Sequence, residues 1–202
     1  FFPIQNEIFG INEKSRMFVQ GSLAFTGNLN LIMAQLFAGA VTIVENKFNP
    51  KRWEKAVKHW DVDVIYLIPS KLMCIPDCFN EKNVNIKMIL SGSQSLGKKD
   101  AEALKKIFPN TKVILYYGAS ELNYISYVTD ENMNTKRNLI GKPFPKVDVS
   151  VKDGEIYVTN DFHVYGVKCP FSLKDRGYFD DDGNLYFEGR SDDIVGIRGR
   201  KV

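Results

Sequence analysis

The first two thirds of the chain alternate between helical and strand-like patterns of apolar and polar positions. Asn28 to Ala38 has helical spacing and stops at Gly39, which predicts a helix closed by a C-terminal glycine. Val41 to Val44 is a short β-rich run. Asn49-Pro50 opens a predicted helix through Trp60, with Asn49 as N-cap and Pro50 at its favoured first position. Val62 to Ile68 is almost continuously apolar, as in a strand covered on both faces, and Pro69-Ser70 ends it and starts another helix. Ile86 to Leu90 repeats the buried-strand pattern and leads into the small polar loop Ser91-Gly92-Ser93-Gln94-Ser95. Lys98 to Phe108 is amphipathic, with Ala101, Leu104, Ile107 and Phe108 on its apolar side. Pro109-Asn110 breaks it before the strand Val113 to Tyr117. Repeated βα units of this length predict an α/β fold, a mostly parallel sheet with flanking helices and right-handed crossovers.

The pattern changes after about Thr129. Val147 to Val151, the turn Asp153-Gly154 and Glu155 to Thr159 read as one hairpin. Gly177 to Asp180, Asp182-Gly183 and Leu185 to Phe187 read as another, since Asp-Gly between β-rich runs is a strong hairpin signal. A small, mostly antiparallel barrel or sandwich is expected there. The division predicted is an α/β subdomain over 1–128 and a β-barrel subdomain over 129–190.

Composition adds exclusions. The 202 residues are 44% hydrophobic and 25% charged, ordinary for a globular protein and unlike a disordered one. The net charge of +3 is small and its lysines and arginines are scattered, which argues against a nucleic acid or an anionic membrane as partner. No stretch reaches the ~18 apolar residues of a membrane span. Three cysteines, Cys74, Cys78 and Cys169, do not make an even disulfide framework, and the Cys74/Cys78 spacing fits no zinc motif, so a reducing, cytoplasmic setting is expected. The start at Phe1-Phe2-Pro3 and the end at Lys201-Val202 read as cuts in a longer protein.

Three clusters carry candidate chemistry. Tyr116-Tyr117-Gly118-Ala119-Ser120-Glu121 follows an apolar strand, where open α/β sheets bind ligands. Its aromatic, glycine, hydroxyl and carboxylate suit a nucleotide with magnesium, a cation that takes one or two carboxylates plus phosphate oxygens. The plainer alternative is an ordinary strand exit. Ser91-Gly92-Ser93-Gln94 ends the preceding strand and would face the first cluster if the two strands are neighbours; alone it is only a turn. The third cluster runs from Lys174-Asp175-Arg176-Gly177-Tyr178 to Gly189-Arg190-Ser191-Asp192-Asp193. A carboxylate there can accept both hydroxyls of a ribose, and an arginine can fork onto ribose or phosphate oxygens; the alternative is a solvated turn with a surface ion pair. Asp180-Asp181-Asp182 lacks the alternating ligand spacing of a calcium loop and reads as a hairpin turn.

Taken in order, these segments resemble the acyl-CoA synthetase, adenylation-domain and luciferase superfamily. Members carry aromatic-Gly-x-Thr-Glu, a later Gly-Lys-Pro, a Thr-Gly-Asp-x-Gly-Tyr turn and Gly-Arg-x-Asp-Asp followed by a glycine. This chain has Tyr117-Gly118-Ala119-Ser120-Glu121, Gly141-Lys142-Pro143, Leu173-Lys174-Asp175-Arg176-Gly177-Tyr178, Gly189-Arg190-Ser191-Asp192-Asp193 and Gly199. The resemblance implies ATP-dependent activation of a carboxylic acid as an acyl-adenylate, then transfer to a thiol, that of CoA or of a carrier protein. A non-catalytic nucleotide-binding protein of the same fold is the alternative from another class.

By position, the resemblance implies that Tyr117 stacks on adenine while Ser91, Gly92, Ser93 and Gln94, with Tyr116, Gly118 and Ala119, line the ATP/AMP pocket. Ser120 would touch the α-phosphate and Glu121 would hold Mg²⁺. Asp175 would grip the ribose with Arg190 beside it. Asp192 would be the hinge, with 191–202 starting a further domain. The chain departs from the family pattern where Leu173-Lys174 replaces Thr-Gly, and where Ala24 stands in place of a histidine. Thr26 stands where amino-acid-activating members have an aspartate, which weighs against an α-amino acid substrate. The phosphate loop and the catalytic lysine of the family have no counterpart within the 202 residues, so this stretch alone is expected to be inactive. His59 and His163 fit no role in this scheme.

Overall fold

The protein is described by a computed structural model covering residues 1–45, 47–77, 79 and 81–191, with the backbone of 196–197 and 200–201. Its contacts divide it into two compact units. The first comprises Phe1–Ser91 and Lys99–Ile114, the second Gly92–Lys98 and Leu115–Val202.

The first unit is built on parallel strands β1 (Arg16–Gln20), β2 (Val41–Glu45), β3 (Val64–Tyr66) and β4 (Met88–Ser91), joined by the start of β5 (Lys112–Ala119) in the order β2-β1-β3-β4-β5. The register sets Met17 against Val64 and Ile65 against Ile89. These strands carry little but apolar residues because helices cover them: Met17, Phe18, Val19, Ile65 and Ile89 have no more than trace exposure. The helices are α1 (Phe2–Phe9), α2 (Thr26–Ala38), α3 (Pro50–His59), the single turn α4 (Pro69–Leu72) and α5 (Lys98–Ile107).

Helix α3 forms for reasons visible in its sequence. The Asn49 side-chain oxygen accepts the Arg52 amide at 3.2 Å, and Pro50 sits where its missing N–H costs nothing. Trp53 and Val57, one turn apart, are its buried face. Trp53 meets Phe18, Phe79 and Phe108 edge-on at centroid distances of 6.0, 5.3 and 6.4 Å, an aromatic cluster that ties helix to sheet. Helix α2 ends as expected on Gly39, which takes a left-handed conformation. Its buried residues include Asn28 and Gln35, whereas Phe25, just before it, and Leu29, Met33, Leu36 and Phe37 are in contact with solvent.

The second unit takes the rest of β5 and adds β6 (Asn123–Thr129), β7 (Leu139–Pro143), β8 (Val147–Lys152), β9 (Glu155–Asn160), β10 (Phe171–Phe179) and β11 (Leu185–Arg190), in the order β5-β6-β7-β11-β10-β9-β8. The pairs from β6 onward are antiparallel. A short ribbon pairs β12 (Gly196–Ile197) with β13 (Arg200–Lys201). The Asp153-Gly154 turn joins β8 to β9 with both residues at positive φ, 53° and 76°. That is the two-residue hairpin geometry matching strand twist. At the other Asp-Gly turn the Asp180 carboxylate caps the loop, accepting the amides of Asp182 and Asn184 at 3.1 and 2.8 Å. The acidic triplet is therefore a turn, as its spacing suggests. The expected barrel is corrected: the strands run in linear order, and among the described residues β8 pairs with β9 alone, so the sheet stays open. Hairpin signals specify neighbours, and closure depends on a long-range pairing that no local signal encodes.

Candidate functional site

The residues that the motifs single out fall, except for Ser91, in the second unit. Asp175 lies in β10 directly opposite Arg190 of β11, where a register shift between Arg176 and Gly177 re-aims the strand. Lys174 beside it takes φ +63°. That is the left-handed region a glycine would occupy, so the turn survives the replacement of Thr-Gly by Leu173-Lys174. Four bonds hold it. The Lys174 amide donates to Ser172 Oγ at 3.0 Å and its ammonium to Glu155 at 3.1 Å, while its carbonyl accepts both the amide and the hydroxyl of Ser191.

Asp175 is only 5% exposed, and a buried carboxylate needs charge and hydrogen-bond partners. Arg190 Nη1 donates to its Oδ1 at 3.0 Å, and the Tyr117 hydroxyl, from β5, donates to its Oδ2. Burial first, and then the Asp175 charge, push the Tyr117 hydroxyl pKa well above its usual value, so it stays a donor throughout the neutral range. The Tyr117 ring lies 6.3 Å from that of Phe187. The structure thus joins the first motif to the third, 58 residues apart.

The glycine-serine loop meets the same strand. A Cβ on Gly92 would lie 2.8 Å from the Tyr116 ring. Tyr116 itself is buried and packs on Tyr124 at 4.4 Å, a core position. Ser93 is exposed at φ +67° and Gln94 is partly buried. Ser91, in the first unit, is fully buried with its hydroxyl donating to the Leu67 carbonyl at 2.8 Å. After Tyr117, Gly118 and Ser120 are exposed, while Ala119 and Glu121 are partly so.

The segment after the motif is stapled by residues that the sequence reading missed. Val164 donates its amide to the Glu121 carbonyl at 2.9 Å and Asn160 its side-chain amide to the Leu122 carbonyl at 3.0 Å. Asn123 bonds the Phe162 carbonyl. A buried Asn at a strand end, followed by Asp, was the available signal. Asp192 and Gly199, the expected hinge residue and the last motif glycine, lie outside the described residues, as does Cys78. His59 is exposed and stands edge-on to Trp60, and His163 Nδ1 is 3.1 Å from the Val164 carbonyl. Cys74 and Cys169 are free thiols.

A family profile described as "AMP-binding enzyme" matches residues 2–161. The chain belongs to that family. Among its relatives, an "Uncharacterized acyl–CoA ligase YhfT" of Bacillus subtilis (strain 168) is 23% identical over 96% of this chain and 44% of its own length. The 2-succinylbenzoate–CoA ligase of Lactococcus lactis is 24% identical over 97% of this chain and 46% of its own length. Among solved structures, O-succinylbenzoate Coenzyme A Synthetase (MenE) from Bacillus subtilis in complex with ATP and magnesium superimposes with a TM-score of 0.85. It does so at 19% identity, over 100% of this chain and 47% of that one. The chain therefore spans less than half the length of these relatives. Its mixed α/β sheet with flanking helices is the fold of that neighbour. No described helix is long and apolar enough to cross a membrane.

Proposed function

We propose that the full-length protein uses ATP to activate a carboxylic acid as an acyl-adenylate and then forms a thioester with CoA. The observation that best supports this reading is the Asp175 carboxylate, buried beside Arg190 and Tyr117, because an oriented carboxylate with an arginine alongside suits the vicinal hydroxyls of a ribose. In this reading Tyr117 stacks on adenine and Gly92, Ser93 and Gln94 line the base pocket. Ser120 faces the α-phosphate, and Asp192 is the hinge.

Magnesium fits the donor set. Among the described residues no three His, Cys, Asp or Glu side chains converge into a cage. Mg²⁺ suits a single carboxylate, here Glu121, with phosphate oxygens and water as its other ligands. When bound it neutralises phosphate charge as bonds to phosphorus change.

The chemistry needs position more than a covalent protein group. The substrate carboxylate attacks the α-phosphorus, the bond to the β-phosphate oxygen breaks and pyrophosphate leaves. A thiolate then attacks the acyl carbon and AMP leaves. The residues of this chain hold base, sugar and α-phosphate so that the attack is in line. The test is ATP–pyrophosphate exchange by the full-length protein across a panel of acids, with CoA-dependent discharge of the product. Exchange that depends on one acid class is expected. AMP binding without exchange on any acid would leave a non-catalytic nucleotide-binding protein instead.

A second acceptor is favoured by the relatives. The 3,4-dihydroxybenzoate–[aryl-carrier protein] ligase of Bacillus anthracis is 26% identical over 84% of this chain. Discharge by a carrier-protein thiol and not by CoA would select it.

A further inference from the structure

An aromatic ring needs only its face to stack on a base, and phenylalanine would serve. The hydroxyl of Tyr117 is chemistry beyond that task, and the structure spends it on Asp175. Aspartate has a soft, nearly two-fold torsion about Cβ–Cγ, so one anchor on one oxygen leaves its plane free to turn. Here the two oxygens are anchored from two strands, Oδ1 by Arg190 of β11 and Oδ2 by Tyr117 of β5. A carboxylate oxygen accepts more than one hydrogen bond, so the anchors fix the plane without closing it to a ligand.

We infer that the Tyr117 hydroxyl is a positioning group that sets the plane of the Asp175 carboxylate, so that the base-stacking ring and the sugar-gripping carboxylate act as one unit and discriminate for nucleotides with both ribose hydroxyls. This rests on the reading of Asp175 as the ribose-binding residue. The raised pKa of the hydroxyl agrees with it, since a phenolate facing a carboxylate would repel rather than hold it. Base and sugar recognition are then coupled by a single bond between residues 58 positions apart.

The test is calorimetric titration of the full-length protein with AMP and with 2′,3′-dideoxy-AMP, for the wild type and for Tyr117→Phe. The wild type is expected to prefer AMP by tenfold or more, and Tyr117→Phe to lose about tenfold of that preference, the size of one charge-assisted bond. Its affinity for dideoxy-AMP should stay within about twofold, since the stacking face is retained. Equal weakening of both nucleotides by a folded Tyr117→Phe would overturn the inference, as would a preference equal to that of the wild type or AMP bound more tightly. A wild type that does not distinguish the two nucleotides would instead remove Asp175 from ribose binding, and the inference with it. If Tyr117→Phe does not fold, 4-fluorophenylalanine incorporated at position 117 fills the space of the hydroxyl without a donor. The same loss of preference is then expected, and its retention would overturn the inference.

Discussion

Gly118 is a motif position whose substitution the structure predicts in detail. An ideal Cβ there would lie 2.4 Å from the Asn123 carbonyl oxygen, 3.1 Å from Tyr124 Cα and 3.2 Å from Asn123 C, where ordinary contact begins at 3.4 Å. All three atoms are backbone of β6 and cannot swing aside as a side-chain tip would. The strands must part by about 1 Å, at the place where Tyr116 packs on Tyr124 and one residue from Tyr117. Overpacking of this kind costs ~1–3 kcal/mol, and rigid backbone puts it at the upper end. Replacing Gly by Ala also narrows the unfolded ensemble, which returns ~0.4–1 kcal/mol. The net for Gly118→Ala is about 2 kcal/mol of destabilisation, a fall in urea midpoint of about 1 M for a slope near 2 kcal/mol/M. Urea titration followed by far-ultraviolet circular dichroism measures it. A midpoint equal to or above that of the parent would refute the reasoning, and the glycine would then have to be explained by a ligand's approach.

Asp175→Ala removes the acceptor shared by Arg190 and the Tyr117 hydroxyl, and should cost about 2 kcal/mol in the same titration, below the ~3–5 kcal/mol of a fully buried pair because Arg190 keeps 19% of its side chain in solvent. It should also weaken AMP binding by about tenfold or more in calorimetry, and unchanged affinity would take Asp175 out of the site. Tyr117 has a raised folded-state pKa, so its contribution to stability is complete below pH 10.0 and is lost as pH climbs above that value; Tyr117→Phe should flatten the stability profile there. Glu155 is held down to about 2, first by the Ser172 hydroxyl and then by Lys174, so its contribution is present above 4.5 and lost as pH falls toward 2. Glu155→Gln should remove that part of the acid slope. Asn49→Ala should cost ~1 kcal/mol by uncapping α3, read as a lower thermal midpoint.

Much of the first unit was legible because its signals are local. The Asn49 cap, the Gly39 stop and the apolar runs around Ile65 and Ile89 each specify their element within a few residues, and the elements form within two or three residues of the expected ends. The second unit was less so. Strand β6 follows Glu121 after a tight turn with Asn123 at φ +60° and no glycine or proline to announce it. Strand β7 contains Gly141, Lys142 and Pro143, residues of low β propensity, and is held by pairing to β6 and β11. Motif order placed Tyr117, Asp175 and Arg190 in one list, yet the bond from the Tyr117 hydroxyl to Asp175 depends on strand order β5-β6-β7-β11-β10, which periodicity does not encode. Tyr116 shows the converse. Adjacent to Tyr117 in sequence, it points to the other face of the strand and into the core, because successive side chains alternate.

The left-handed residue Lys174, at an irregularity within β10, sets a tolerance rule for that position. Three of its four bonds use its backbone and the fourth is an exposed ion pair, so a library randomised there should keep glycine, asparagine and aspartate beside lysine and lose valine, isoleucine and threonine, whose branched Cβ clashes in that region. A search that insists on the letter glycine would pass over this loop. One that asks for a positive torsion next to the carboxylate would find it.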